Sequence, residues 1–122
     1  TNQVNKTFRA AADYSAKQFY IVWVANGVAT LADDADQPGE SIMGAIQNKP
    51  AAGAGAGVAI PITGTGKAIA GGSITAGDQL TTDGNGKAIT TTTADDYSFG
   101  TALQDADAGD IFEYQPGFDI VD

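Results

Sequence analysis

Apolar positions along this chain come in short runs, separated by glycine, proline and small polar residues. None holds the 3.6-residue period of an amphipathic helix over several turns. The clearest run is residues 17–25. Phe19, Ile21 and Trp23 fall on one face of an extended strand, and Tyr20, Val22 and Val24 on the other. Apolar residues on both faces predict burial on both sides. Asn26-Gly27 reads as a two-residue hairpin turn, because both positions tolerate positive φ. Residues 28–32 are the return strand. Residues 41–47 predict a third strand, ended by Asn48-Lys49-Pro50, since proline has no N–H to give a ladder. Residues 58–62, 67–70, 79–82, 87–93, 97–103 and 111–114 follow at short, even spacing, with turn residues between them. That spacing predicts an all-β fold, a small antiparallel β-sandwich or barrel.

The two ends of this pattern differ from its middle. Residues 1–16 predict an extended N-terminal arm, with Val4 and Phe8 as apolar anchors and Lys6 and Arg9 as its bases. The expected role of such an arm is to order on a neighbouring subunit. A frayed terminus or a first edge strand is the competing reading. Residues 17–122 then form a single β domain. Residues 51–57 alternate alanine and glycine. Ala51, Gly53, Ala54 and Gly55 make a loop small enough to lie close against another backbone. Residues 90–93 are all threonine, and an exposed edge there, carrying Thr91 and Thr93, would invite pairing with another chain. An ordinary solvated strand is the alternative for that run. The tail from Pro116 has no assigned role.

Composition narrows the chemistry. The chain has 122 residues, enough for one domain with a modest core. Fifteen acids against six bases give a formal charge of −9. Phosphate binding needs a basic face, so nucleic acid is not an expected partner. No histidine and no cysteine are present. The usual general base, the thiolate nucleophile and the commonest transition-metal ligands are therefore missing. Neither a metal nor another cofactor is expected. The acidic stretch from Asp33 to Glu40 fails the calcium-loop pattern, because Gly39 comes too late and Glu40 follows it at once. Gly53-x-Gly55-x-Gly57 leads into a strand, not a helix, so it is not a dinucleotide fingerprint. Gly66-Lys67 and Gly86-Lys87 each lack both the upstream glycine and the following Ser or Thr of a phosphate loop. Carboxylate-pair chemistry is all that remains for an enzyme, and no catalytic residues are assigned. No apolar run reaches the length of a membrane helix, and no basic-then-apolar leader is read at the start. A product made in the cytosol is the expectation.

The order of several pieces resembles the small capsid decoration (cement) proteins of tailed bacteriophages. The pieces are Lys17-Gln-Phe-Tyr-Ile-Val22, Asn26-Gly-Val-Ala-Thr-Leu-Ala32 and Gly44-Ala-Ile-Gln-Asn-Lys-Pro-Ala-Ala-Gly53. Val58 to Gly64, Ala70-Gly71, Ile74-Thr-Ala-Gly-Asp78, Asp83-Gly-Asn-Gly-Lys-Ala88, Gly100-Thr-Ala-Leu103 and Ala108-Gly-Asp-Ile111 complete the set. The resemblance implies a non-enzymatic virion protein on the outer surface of the head. Its implied partner is the major capsid protein, and its implied effect is to stabilise the expanded lattice by bridging capsid subunits. Homo-oligomers are expected, trimers ahead of dimers. Candidate capsid contacts are Val4, Lys6, Phe8, Arg9, Ala51, Gly53, Ala54, Gly55, Thr91 and Thr93. The alternative is a carbohydrate- or surface-binding β-module of a fibre or adhesin, with Trp23, Tyr20, Tyr97 and Tyr114 as a sugar platform.

Overall fold

The computed structural model describes residues 4–32, 42–92 and 97–120. These form strands β1 (Val4–Ala10), β2 (Ile21–Ala25), β3 (Val28–Leu31), β4 (Ile42–Ala45) and β5 (Gly57–Thr63). They continue with β6 (Gly66–Ile69), β7 (Gln79–Thr82), β8 (Ala88–Thr90), β9 (Tyr97–Ala102) and β10 (Ile111–Ile120). No helix occurs among the described residues. Two five-stranded sheets result, ordered β4-β2-β3-β1-β5 and β6-β10-β9-β7-β8. The all-β expectation holds, and among the described residues every pairing between these strands but one is antiparallel. The exception is β1 against β3, which is parallel.

Three local expectations need correction. Residues 4–10 are not an extended arm: they are β1, paired along its length with β5 and at its end with β3. The cause is alternation. Phe8 and Ala10 point to one side and pack into a core, which the polar look of the segment hid. The strand read over residues 17–25 starts only at Ile21. Phe19 lies before it with φ 72, a left-handed conformation rare for a bulky residue. Its N–H donates to the Ile46 carbonyl (2.7 Å) and its carbonyl accepts from Ile69 N–H (3.0 Å), so both sheets hold it there. Last, β10 runs through Pro116 into the tail, with a register shift between Pro116 and Asp119. Pairing with β6 covers only residues 111–114, so from Gln115 onward proline removes no bond on that side.

The double burial expected of β2 is observed. Ile21 and Trp23 join a core between the sheets with Leu80, Phe99, Phe112 and Tyr114. Val22 and Val24 join a second core with Tyr14, Ile46, Val58 and Ile60. That second core is wrapped by the first sheet, which curls until its edges nearly meet. Gln47 and Asn48 span the gap. Gln47 N–H donates to Ala59 O (2.8 Å). The Asn48 amide donates to Gly57 O (2.9 Å) and accepts from Ala59 N–H (2.8 Å), as a paired peptide group would. The Gln47 side chain reaches the other way. It donates to Lys67 O (2.8 Å) and accepts from Lys67 N–H (2.9 Å), covering part of the β6 edge. One dipeptide thus closes the first sheet and fastens it to the second.

Turns in the second sheet are fixed by aspartates. Asp78 accepts from Thr75 N–H and from the Thr90 hydroxyl, Asp83 from Asn85 and Lys87 N–H, and Asp110 from Asp107 N–H. The turns at Thr75-Ala-Gly-Asp78 and Asp107-Ala-Gly-Asp110 are related as a pair. Ile74 and Ala106 exchange both backbone bonds (2.8 and 2.9 Å). Gly77 N–H donates to Ala102 O as Gly109 N–H donates to Ala70 O. The two Ala-Gly-Asp motifs are therefore one device used twice.

Tyr114 pins the two layers together. Its ring meets Phe99 edge-on, with centroids 4.9 Å apart. Its hydroxyl accepts from Ala45 N–H at 3.2 Å. Glycine is required beside it: a Cβ on Gly100 would stand 2.7 Å from the Tyr114 ring, and one on Gly66 3.1 Å from it. Burial holds the phenol above its ordinary 10.0, against the Ala45 bond, which favours the anion. Removing the hydroxyl in Tyr114→Phe leaves the Ala45 N–H buried without its partner. The expected loss is about 1–3 kcal/mol, measured by denaturant unfolding. Linkage adds a pH signature. Below about pH 10 both states keep the phenol proton, and above it the unfolded chain releases a proton that the folded protein retains. Wild-type stability should therefore fall above pH 10, and the fall should be shallower in Tyr114→Phe.

Candidate functional site

The candidate contact residues fall into two groups, and the fold brings one of them together. β1 carries Val4, Lys6, Phe8 and Arg9, and the loop of residues 51–57 leads into its neighbour β5. Arg9 lies opposite Gly57 in the ladder. Ala10 N–H donates to Ala56 O (2.9 Å), and Ala10 O accepts from Gly55 N–H (2.8 Å). The loop is thus laced to the end of β1, and both belong to one surface. Lys6, Arg9, Ala51, Ala54 and Gly55 are exposed, whereas Phe8 and Gly53 are half-buried. Gly53 and Gly55 have φ of 97 and 87, and a Cβ at either would meet nothing within 4 Å. The loop therefore keeps its shape by backbone conformation and leaves its outer side open. Asp13 helps to hold it. Its carboxyl is kept below the ordinary 3.8 by the Ser15 N–H and hydroxyl, with the Gly53 N–H adding to them.

Thr91 is not part of this surface. It is only 6% exposed, and its N–H donates to Gln79 O in the second sheet (2.9 Å). Thr93 lies outside the described residues, as does the acidic stretch from Asp33 to Glu40. The sugar-platform residues are dispersed. Trp23 and Tyr114 are core side chains, 2% and 0% exposed, both filling the core between the sheets. Tyr20 is half-buried with Lys17 Nζ 4.6 Å from its ring centroid. Sequence reasoning missed a different apolar surface. Leu103, just past the end of β9 with its N–H on Glu113 O, and Ile111, at the start of β10, are both exposed. Alternation with buried Ala102 and Phe112 was the available signal.

Among the described residues no group of three or more acidic side chains is placed to hold a metal ion. The turn aspartates already accept backbone bonds. The arrangement is one of shape, backbone and a little positive charge on an acidic molecule.

The profile of the phage cement protein family matches residues 1–113. The chain belongs to that family. Its role is structural decoration of the phage head, and membership points to a non-enzymatic one. No curated protein matches the chain. Among solved structures, the crystal structure of the head fiber gp8.5 N base of bacteriophage phi29 is similar, at 21% identity and a TM-score of 0.70 over 95% of each chain. At that identity the likeness speaks for the fold.

Placing β1 inside the sheet changes what a terminal truncation does. Removing residues 1–10 strips β5 of its antiparallel partner and takes Phe8 and Ala10 from the second core. The expected result is loss of cooperative thermal unfolding, seen by circular dichroism, and not a folded domain with weakened binding. A sharp, unshifted melt after that truncation would mean that β1 contributes nothing to the fold.

Proposed function

We propose that this cement-family protein binds the outer surface of a tailed-phage head, across adjacent major capsid subunits, and stabilises the expanded lattice. The observation that carries the reading is the family match, which runs from residue 1 through the first three residues of β10. The similar fold of a head-fiber base supports it. The −9 charge supports an outward position, since a DNA-facing surface needs bases. The contact surface is β1 with the loop of residues 51–57, and Lys6, Phe8, Arg9, Ala51, Gly53, Ala54 and Gly55 are its candidates, with Val4 at its margin. Homo-oligomers form on the lattice, trimers at local three-fold positions ahead of dimers. The mechanism is linkage: a ligand that binds only the expanded lattice lowers its free energy relative to every other state.

Heads with and without the protein, heated while DNA release is followed, provide the test. Decorated heads should release DNA at a higher temperature. Equal release temperatures with the protein bound would remove the stabilising role, and binding to glycans but not to heads would favour the fibre-module alternative. Within the loop, Ala54→Trp should lower head occupancy while leaving the free protein's melting temperature nearly unchanged, because the side chain at 54 is exposed. Occupancy by quantitative gel and melting by calorimetry separate the two effects.

A further inference from the structure

β1 is paired unequally on its two sides. Ala10 exchanges bonds with the β5 side, through Ala56 O and Gly55 N–H. Backbone groups alternate in direction along a strand, so Phe8 and Lys6 also point their N–H and C=O toward β5. Arg9 points the other way, and its N–H reaches Gly27 O (3.0 Å) in the direction of β3. By the same alternation Thr7 points that way too. β3, however, begins at Val28 opposite Arg9, where the chain turns through Asn26-Gly27. Among the described residues the ladder offers nothing opposite Thr7 on this side. At Thr7, therefore, β1 has β5 on one side and, among the described residues, an open edge on the other. Lys6 and Thr7 are both exposed, as such an edge requires.

Charge says what fits this edge. β1 holds two of the six bases in a chain of net charge −9, and no acid. Lys6 and Arg9 lie on opposite faces of the strand, one flanking the edge above and one below. A second copy pairing through this same edge is a poor match, because its Lys6 and Arg9 would stand against these. We propose that the open edge around Thr7 is a strand-addition site, occupied by an extended, acidic segment of a capsid-lattice protein. Main-chain bonds to Thr7 supply the pairing, and Lys6 and Arg9 select carboxylates on the added strand. The proposal rests on the capsid-binding reading above and names the contact that reading leaves open. The competing explanation is that a lysine on an edge merely guards it against unwanted pairing.

Proline offers a selective test. At Thr7 it removes an N–H that β5 does not use, so it blocks the edge and spares the ladder. The probe is undecorated expanded heads. Wild type should bind, Thr7→Pro should bind roughly tenfold more weakly or worse, and K6E/R9E should lose affinity together with most of its salt dependence. Hydrogen exchange on wild type guards against a folding defect in the proline variant: amides of residues 5–8 should slow on heads. A folded Thr7→Pro that binds like wild type, or exchange at residues 5–8 that is the same free and bound, overturns the proposal. So does K6E/R9E with unchanged binding, which removes the acidic partner. A free wild-type dimer that Thr7→Pro dissolves would make a second copy the occupant and overturn it as well. Wild type that binds no heads overturns the capsid reading itself, and this contact with it.

Discussion

Four consecutive buried side chains in β2 set the terms for the molecule. Ile21 and Trp23 must be covered on one face, Val22 and Val24 on the other. A single sheet packed on one partner layer covers one face only. The chain answers with two different devices. The second sheet lies across the Ile21–Trp23 face, and the first sheet curls round on itself to enclose Val22 and Val24. Curling needs a strand on the far side, and β1 and β5 provide it. Deep burial of one short strand thus explains why the N-terminal segment is built into the sheet at all.

Curling also creates a seam, and the seam explains the polar residues at its margin. Where β4 and β5 fail to meet as strands, Asn48 acts as the missing peptide group. Gln47 does the same for the exposed rim of β6. Each side-chain amide offers one donor and one acceptor in the geometry a strand would present. Tyrosines serve the interior in a related way: Tyr14 accepts from Leu31 N–H (2.7 Å) and Tyr114 from Ala45 N–H. Backbone groups that the curl leaves unpaired are satisfied by side chains, because an orphaned buried N–H costs as much as a lost bond.

Much of this was legible in the sequence where the physics is local. Asn26-Gly27 fixed a hairpin by its own conformational tolerance, and the apolar positions of β2 announced burial on both faces. The later strands fell between turns whose aspartates and glycines carry their own bonding. What stayed hidden depends on distant residues. β1 reads as polar because only Phe8 and Ala10 face a core, and its partners lie far along the chain. Phe19 interrupts a perfect alternation because Ile46 and Ile69 hold its backbone from two sheets. The Gln47-Asn48 pair looked like the end of a strand, and only the closed sheet shows it as a clasp. For the candidate surface, the residue sets at β1 and at the Ala-Gly loop were visible separately. Their adjacency came from the β1–β5 register, which no local pattern encodes.

The same register links stability to assembly. The parallel contact between β1 and β3 is short because β3 must turn back into β2, and β2 is the strand that cannot move. β1 therefore overshoots its neighbour. At Thr7 it is held, among the described residues, on one side only, with bases nearby on an otherwise acidic molecule. A soluble protein blunts such an edge or uses it, and a structural protein of a repeating shell has reason to use it. Each copy needs only modest contacts when many copies act on one lattice, since the gains multiply across the shell while no single contact has to be tight. Strand pairing suits that demand: it reads backbone, tolerates sequence variation in the partner, and takes direction from a few charges. The core of β2 thus fixes, at one remove, where the proposed strand-addition edge lies.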